Sequence, residues 1–472
     1  MRAEQTSDAP EQALKLTVYL NEALRSGTGL AADALLDLFG RERPVASVLL
    51  RGIEGFGARH RLHTDRLENA ALNQPVIAVA VDRAGRIESL REQVDRILPS
   101  GLVTAERAWL VGDRDAPLPP VAHNSVKLTV YCPRSRAGAV LAHLHECRVP
   151  AATAFLGVDG TLHGRRARAR FLARNRDVPM MIVAVGDAAA VSRALARIDA
   201  VAEQPVVTVE GIEVCRRDGS ALTRPVDSAA GYWRKLMIQA PGNARAGDAP
   251  LHPELVEQLR RTGTAGATSL RGFRGYQGNG AADADSVWSI RRSGPVVTVV
   301  IDRDGALDAA WPAIELLTRD GATVTSELVP AHRAVAAPRT GPARSPAARH
   351  LAIAAGGVAG TYTRVLVGQA FGTSAGWPWA TFLVNMAGAF LLGYLTARML
   401  DRLPPSRFRR PLLGSGLCGA LTTFSTLQLE LLDLLRDGRA GLAAAYAGSS
   451  VVVGFAAFMS AVWLVRRARV TS

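Results

Sequence analysis

KLTVYL (Lys15–Leu20) returns as KLTVYC (Lys127–Cys132) and again as KLMIQA (Lys235–Ala240), and the chain contains no other lysine. A spacing of 112 and then 108 residues is that of an internal repeat the size of a small domain. Two more landmarks keep register with it. Glycine-rich stretches follow as GIEGFG from Gly52, GVDGTLHG from Gly157 and GFRGYQGNG from Gly272. Apolar runs rich in Val and Ile follow those, as QPVIAVAVD, VPMMIVAVG and GPVVTVVID, and read as buried strands. Within the first copy the pattern predicts strands near 15–20, 45–51, 75–82 and 103–111 and helices near 31–40 and 86–98. The segment RIESLREQVDRIL places Ile87, Leu90, Val94, Ile97 and Leu98 on one stripe, so the helix packs one face on a sheet. The soluble fold class is therefore α+β: three ferredoxin-like βαββαβ repeats over 14–113, 125–217 and 233–333.

Composition agrees with several domains. The chain has 472 residues, too many for one ordinary core, and 48% of them are hydrophobic, too many for a disordered chain. A net charge of +14 raises nucleic acid as a partner, but the last 124 residues hold 12 arginines against 4 acids, so the excess sits at one end. Aromatics make up only 6% and no basic run is interleaved with them, which argues against base stacking. Cys132, Cys147, Cys215 and Cys418 lie far apart, giving neither a disulfide framework nor a zinc site. The first twenty residues carry acids and no signal-peptide core, which places the N-terminal part in the cytoplasm.

The glycine-rich loops admit two readings: a backbone nest for a phosphate, or a flexible connection between strands. The connection is preferred, with Gly52, Gly55, Gly57 and His63 kept as candidate ligand loops. His60, His63 and His163 lack supporting acids for a metal and read as solvated loop histidines. Lys15, Lys127 and Lys235 read either as phosphate contacts in clefts between repeats or as strand starts facing water. The first repeat resembles the small PII-like family known as domain of unknown function 190, through Gly52, Gly55, Gly57 and the following Leu62-His63-Thr64-Asp65. The second copy has drifted around Thr161 and the third lacks the histidine. The family's resemblance to trimeric signalling proteins implies a pseudo-trimer made by one chain.

Residues 331–349 are mostly Ala, Pro and Arg without a hydrophobic period, and read as a tether, with the linker proper at 334–348. Beyond it, over 349–467, come four apolar stretches: Leu351–Phe371, Trp377–Met399, Leu412–Leu435 and Leu442–Val465. Each is long enough to cross a hydrocarbon core of about 30 Å. The expectation is an all-α four-helix transmembrane domain with a broken third helix, because GLCGALTTFSTLQLELL (Gly416–Leu432) interrupts its apolar run with glycines, threonines and a serine. Such residues at membrane depth line a polar cavity, bind an ion or form a packing seam. GGVAG in the first stretch and MAGAFLLG in the second read as seams.

The blocks GGVAGTYTR, FLVNMAGAFLLG and GLCGALTTFSTLQLE, in that order, resemble the CrcB or Fluc fluoride channel family. The resemblance implies an antiparallel dual-topology dimer with two fluoride pores and a central structural sodium ion that is not transported. It implies that Gly419 and Thr422 supply carbonyls to sodium, that Asn385 faces the pore and that the ring edge of Phe424 meets fluoride. The second aromatic of the family motif is Leu427 here. Read from chemistry, Ser425, Thr426, Tyr446 and Ser450 add hydroxyl donors, and Glu430 packs or caps the broken helix. Arg364 either draws the anion into a vestibule or snorkels to the headgroups, the vestibule being what its place in the family's GGxxGxxxR pattern implies.

The expected function is fluoride export through a passive channel of the plasma (inner) membrane, which lowers fluoride toxicity and involves no enzyme chemistry, with a cytoplasmic PII-like regulatory region. The alternatives are a proton-coupled fluoride antiporter, for which Glu430 is the titratable candidate, and a membrane-anchored ligand sensor without transport. Eleven arginines flank the spans on the side of the linker and C-terminus, against Arg436 and Arg439 on the other. That bias predicts a single orientation with both termini cytoplasmic. The dimer partner is then a second, shorter channel subunit of inverted topology, or otherwise a second copy of this chain.

Overall fold

The computed structural model describes residues 11–27, 29–57, 60–64, 74–120, 124–171, 173–217, 220–225, 233–278, 283–284, 294–334, 347–371, 376–406 and 408–467. The chain divides into two compact units, Met1–Gly341 and Pro342–Ser472.

In the first repeat, strand Glu11–Asn21 leads to helix Ala31–Glu42, strands Ala46–Arg51 and Pro75–Arg83, helix Ala84–Ile97 and strand Gly101–Leu110. The four main strands are antiparallel and lie in the order second, third, first, fourth. The same order recurs in the second repeat, whose strands are Ser125–Pro133, Ala151–Phe155, Pro179–Asp187 and Val206–Gly211, and in the third, with Trp233–Ala240, Ala267–Arg271, Val296–Asp302 and Thr323–Val329. On the second helix of the first repeat, Ile87, Leu90 and Val94 are buried and Leu98 is enclosed just beyond its end, as the stripe required.

The apolar runs are unbroken because both faces of each sheet are covered. Along Pro75–Arg83, Val76, Ala78 and Ala80 pack under the helices of their own repeat, while Ile77, Val79 and Val81 enter a central cluster. That cluster takes residues from all three repeats, among them Tyr131, Met181, Met237 and Val299. Three sheets thus turn their inner faces onto one shared core.

The lysines lie in that core, where they correct the expectation of strand starts facing water. Lys15, Lys127 and Lys235 are only 2–6% exposed. In each opening strand the lysine faces a glutamate of the closing strand: Lys15 opposite Glu106, Lys127 opposite Glu210, Lys235 opposite Glu327. Each lysine also reaches the glutamate of another repeat. Lys15 lies 2.7 Å from Glu106 and 2.6 Å from Glu210. Lys127 lies 2.6 Å from Glu210 and from Glu327. Lys235 lies 3.0 Å from Glu327 and 2.9 Å from Glu106, which closes a ring of six alternating charges. Thr17 and Thr104 each donate to Glu106 at 3.0 Å. The neighbouring ammonium groups hold Glu106 well below the usual carboxylate range and Glu327 down to about 2, against the opposing effect of burial. The glutamates raise Lys15, Lys127 and Lys235 although burial works the other way. Three carboxylates neutralised by three ammonium groups leave no charge for a metal, although their oxygens cluster within 4.8 Å.

The glycine-rich stretches are clasps between repeats rather than the flexible connections expected. Glu54–Phe56 of the first repeat pairs with Ala267–Arg271 of the third. Asp159–Leu162 of the second pairs with Ala46–Arg51 of the first, and Arg274–Gln277 of the third with Ala151–Phe155 of the second. The crossing is too close for a side chain. A Cβ on Gly55, Gly160 or Gly275 would lie 2.6, 2.1 or 2.5 Å from a carbonyl oxygen of the neighbouring repeat's strand. This pairing aligns Gly55 with Gly160 and Gly275, and so Gly57 with Leu162 and Gln277. Ala331–Ala334, expected to begin the tether, is instead a strand that pairs with Gly101–Leu110 and joins the third repeat to the first. The stretch 335–346 lies outside the described residues, and the helix that follows starts at Ala347.

The second unit is helical. Ala347–Phe371, Trp379–Met399 and Ala440–Val465 are long and apolar enough to cross a membrane. The remaining apolar stretch is interrupted: a π-helical segment Arg410–Cys418 continues as Gly419–Leu421, two extended residues follow, and helix Phe424–Arg436 begins again.

Candidate functional site

The interruption at Thr422 and Thr423 has local and tertiary causes. Both residues are extended, at φ −79°, ψ 151° and φ −142°, ψ 123°. β-Branching makes threonine a poor helix interior residue and its hydroxyl a good cap. Thr423 caps the following helix, its Oγ1 accepting from Thr426 N–H at 3.2 Å. The backbone released by the break is taken up by Asn385 of the second helix, whose Oδ1 accepts from Thr423 N–H at 2.8 Å and whose Nδ2 donates to Thr423 O at 3.0 Å. One helical turn further on, Gly388 makes room for the break, since a Cβ there would lie 2.2 Å from Thr422 Cγ2.

These bonds leave two carbonyls without their helical donors. In a continuous helix Thr423 N–H would donate to Gly419 O and Thr426 N–H to Thr422 O; here they are diverted to Asn385 and to the Thr423 hydroxyl. Gly419 and Thr422 are the two residues expected to hold sodium, and oxygen atoms so released suit a hard cation.

Around the break the remaining site residues separate. Phe424 is 72% exposed and projects out of the unit. Ser425 is exposed, and the hydroxyls of Ser425 and Thr426 lie 3.4 and 2.9 Å from that of Thr423. Leu427 is half-buried and packs against the cluster of Leu434, Ala443 and Tyr446. Tyr446, expected to offer its hydroxyl to the anion path, is fully buried and donates instead to Glu430 at 2.7 Å. Thr381 donates to the other Glu430 oxygen at 2.6 Å, so this acid ties the second, third and fourth helices together, in keeping with its expected packing role. The Ser450 hydroxyl is enclosed and makes no hydrogen bond among the described residues. Arg364 is half-buried on the first helix.

The small-residue seams appear where expected. A Cβ on Gly356 would strike Leu412 O at 2.0 Å and one on Gly360 would strike Leu417 O at 2.4 Å, so the first helix meets the π-helical segment backbone to backbone. Gly416 belongs to the same seam, against Ile353 O. The loop candidates belong to the other unit. A Cβ on Gly52 would lie 2.6 Å from the Pro75 ring, while Gly57 and His63 line a cavity between the first and third repeats. His163 donates from Nε2 to Gln204 O at 2.8 Å.

Reasoning from sequence missed the three glutamates of the central ring. A signal existed, since an acid recurs in every closing strand, in AERAWL, TVEGIEV and SELV.

Comparison with known proteins bears on both units. The family model described as "CrcB-like protein, Camphor Resistance" matches residues 351–462. That of the uncharacterised family DUF190 matches three times, at 13–110, 131–214 and 233–331. "Fluoride-specific ion channel FluC 1" of Mycobacterium bovis is 52% identical over 120 residues, which is 25% of this chain and 91% of that relative. The protein of the same name from Mycolicibacterium paratuberculosis is 53% identical over 120 residues, again 25% of this chain and 91% of the relative. "Fluoride-specific ion channel FluC" of Chlorobaculum tepidum is 41% identical over 117 residues, 25% and 93% of the two chains. With nearly the whole length of these relatives matched by its helical unit, the chain belongs to the CrcB family, the family of the FluC proteins, and carries three DUF190 repeats ahead of that unit.

Proposed function

We propose that the chain is a fluoride-selective channel through which cytoplasmic fluoride leaves down its electrochemical gradient, with the three repeats as a cytoplasmic, regulatory PII-like region. The observation that carries this reading is the Asn385-clamped break beside an outward-facing Phe424 ring. A small anion entering a low-dielectric path must exchange its hydration for donors. Asn385 spends one amide N–H on Thr423 O and keeps the other for an anion. Phe424 offers the electropositive rim of its ring, Ser425, Thr426 and Ser450 offer hydroxyls, and the positive end of helix Phe424–Arg436 points at the break. Neutral donors let the ion leave as readily as it enters. Arg364 supplies a cationic vestibule. A negative-inside potential adds about 2.3 kcal/mol per charge per 100 mV toward expulsion. Glu430 is held by Thr381 and Tyr446, which fits a structural acid better than the proton carrier an antiporter needs.

Fluoride efflux from proteoliposomes tests the reading, with and without the first 348 residues. Efflux without a pH gradient supports a channel; no fluoride permeability in either form would leave the membrane unit as an anchor.

The Gly419 and Thr422 carbonyls, released by the diverted donors, would hold a sodium ion, whose fixed charge would satisfy those backbone oxygens. Replacing it with N-methylglucamine is expected to abolish assembly or flux; full assembly and flux in sodium-free buffer would contradict the site.

For the dimer, the arginine bias and the cytoplasmic repeats support one orientation in the inner membrane, both termini inside, paired with a shorter subunit of inverted topology. Reporter fusions at Ser472 are expected to give only cytoplasmic signal. Mixed orientation, or full conduction by this chain alone, would restore an antiparallel homodimer.

A further inference from the structure

Between the first and third repeats lies a cavity of about 620 Å³, within the range of small-molecule sites. Its walls are mostly apolar, with Tyr19, Phe56 and Ile301 among them. Its charged lining is one-sided: Arg61 comes from the first repeat and Arg333 from the strand that closes the third onto it, both exposed, and no carboxylate lines it among the described residues.

The molecule carries its own control for this space. A Cβ on Gly57 would meet nothing within 4 Å. At the matching positions of the other two clasps stand Leu162, which packs into the central core, and Gln277, whose Nε2 donates to Gln239 O at 2.6 Å. Gln239 is itself the counterpart of Tyr19, four residues after the repeat's lysine. Where the second and third loops send a side chain across, the first leaves room.

We propose that this cleft is a binding site for a small amphipathic organic anion, its apolar body against Tyr19, Phe56 and Ile301 and its acidic head group between Arg61 and Arg333. His63 adds a neutral ring at the wall, since burial and Arg61 lower its proton affinity. It donates or accepts a hydrogen bond without adding a third charge. The site lies in the repeat unit and does not depend on the fluoride reading.

The test uses the full-length chain in detergent with 4-(trifluoromethyl)phenyl phosphate as probe, followed by fluorine NMR titration. Saturable binding of one probe per chain is expected. Gly57→Leu, which installs the residue of the second repeat, should abolish it. Arg61→Gln with Arg333→Gln should weaken it by about tenfold or more, the loss of charge-assisted bonds. The uncharged 4-(trifluoromethyl)benzyl alcohol should bind weakly by the same margin. Absence of saturable binding, or binding equal in wild type and in the double arginine variant, overturns the proposal. Both arginines are exposed, so that variant remains decisive even if Gly57→Leu fails to fold.

Discussion

Lys127→Met is expected to destabilise the repeat unit by about 3–5 kcal/mol, because it leaves Glu210 and Glu327 with an uncompensated charge in the core. Lys127 is 2% exposed and touches both acids at 2.6 Å, so the lost partner is not replaced by water. Glu210→Gln should cost a similar amount by leaving the ring with one uncompensated ammonium charge, shared by Lys15 and Lys127. The double variant restores neutrality and should cost less than the sum of the two singles by about 1 kcal/mol or more. Denaturant or thermal unfolding checks this, and a single variant as stable as wild type would show that the ring contributes nothing. The sign of the pH dependence follows from the shifts. Glu106 and Glu327 are lowered, so their contribution is present above the unfolded carboxylate range and is lost as pH falls through their folded values, which for Glu327 is about 2. Lys15, Lys127 and Lys235 are raised, so theirs is present below the unfolded lysine value and lost in stronger base. Stability should be flat between about pH 5 and 10 and fall on either side.

The second large effect is on transport. Asn385→Ala should reduce fluoride efflux by about a hundredfold, equivalent to about 3 kcal/mol, because it removes both a pore donor and the clamp on Thr423. Phe424→Ala separates these two contributions. Its ring is 72% exposed and supports little packing within the chain, so flux should fall without loss of folding of the unit. Wild-type efflux in either variant, measured by a fluoride electrode on proteoliposomes, removes that residue from the path.

Much of this was legible from local pattern. Three lysine-led strands and three Val/Ile runs revealed the repeats, since strand and helix periodicities are local properties. The interruption of the third apolar stretch was legible too, since glycine and threonine weaken a helix wherever they stand. The residues that complete each feature were not local. Asn385 stands 38 positions before the backbone it clamps. From sequence Tyr446 reads as a pore donor, because nothing local shows that it meets Glu430, 16 positions earlier.

By itself the sequence determined three α+β repeats, a helical membrane unit and a weak point at Thr422 and Thr423. Tertiary structure alone decided what the lysines and glycines do. A sheet covered on both faces hides its alternation, so a lysine on the inward face of a strand looks like one facing water until three sheets close around it. The glycines of the clasps are required by a strand from another repeat, and close approach between segments far apart in the chain leaves no periodic trace in either one.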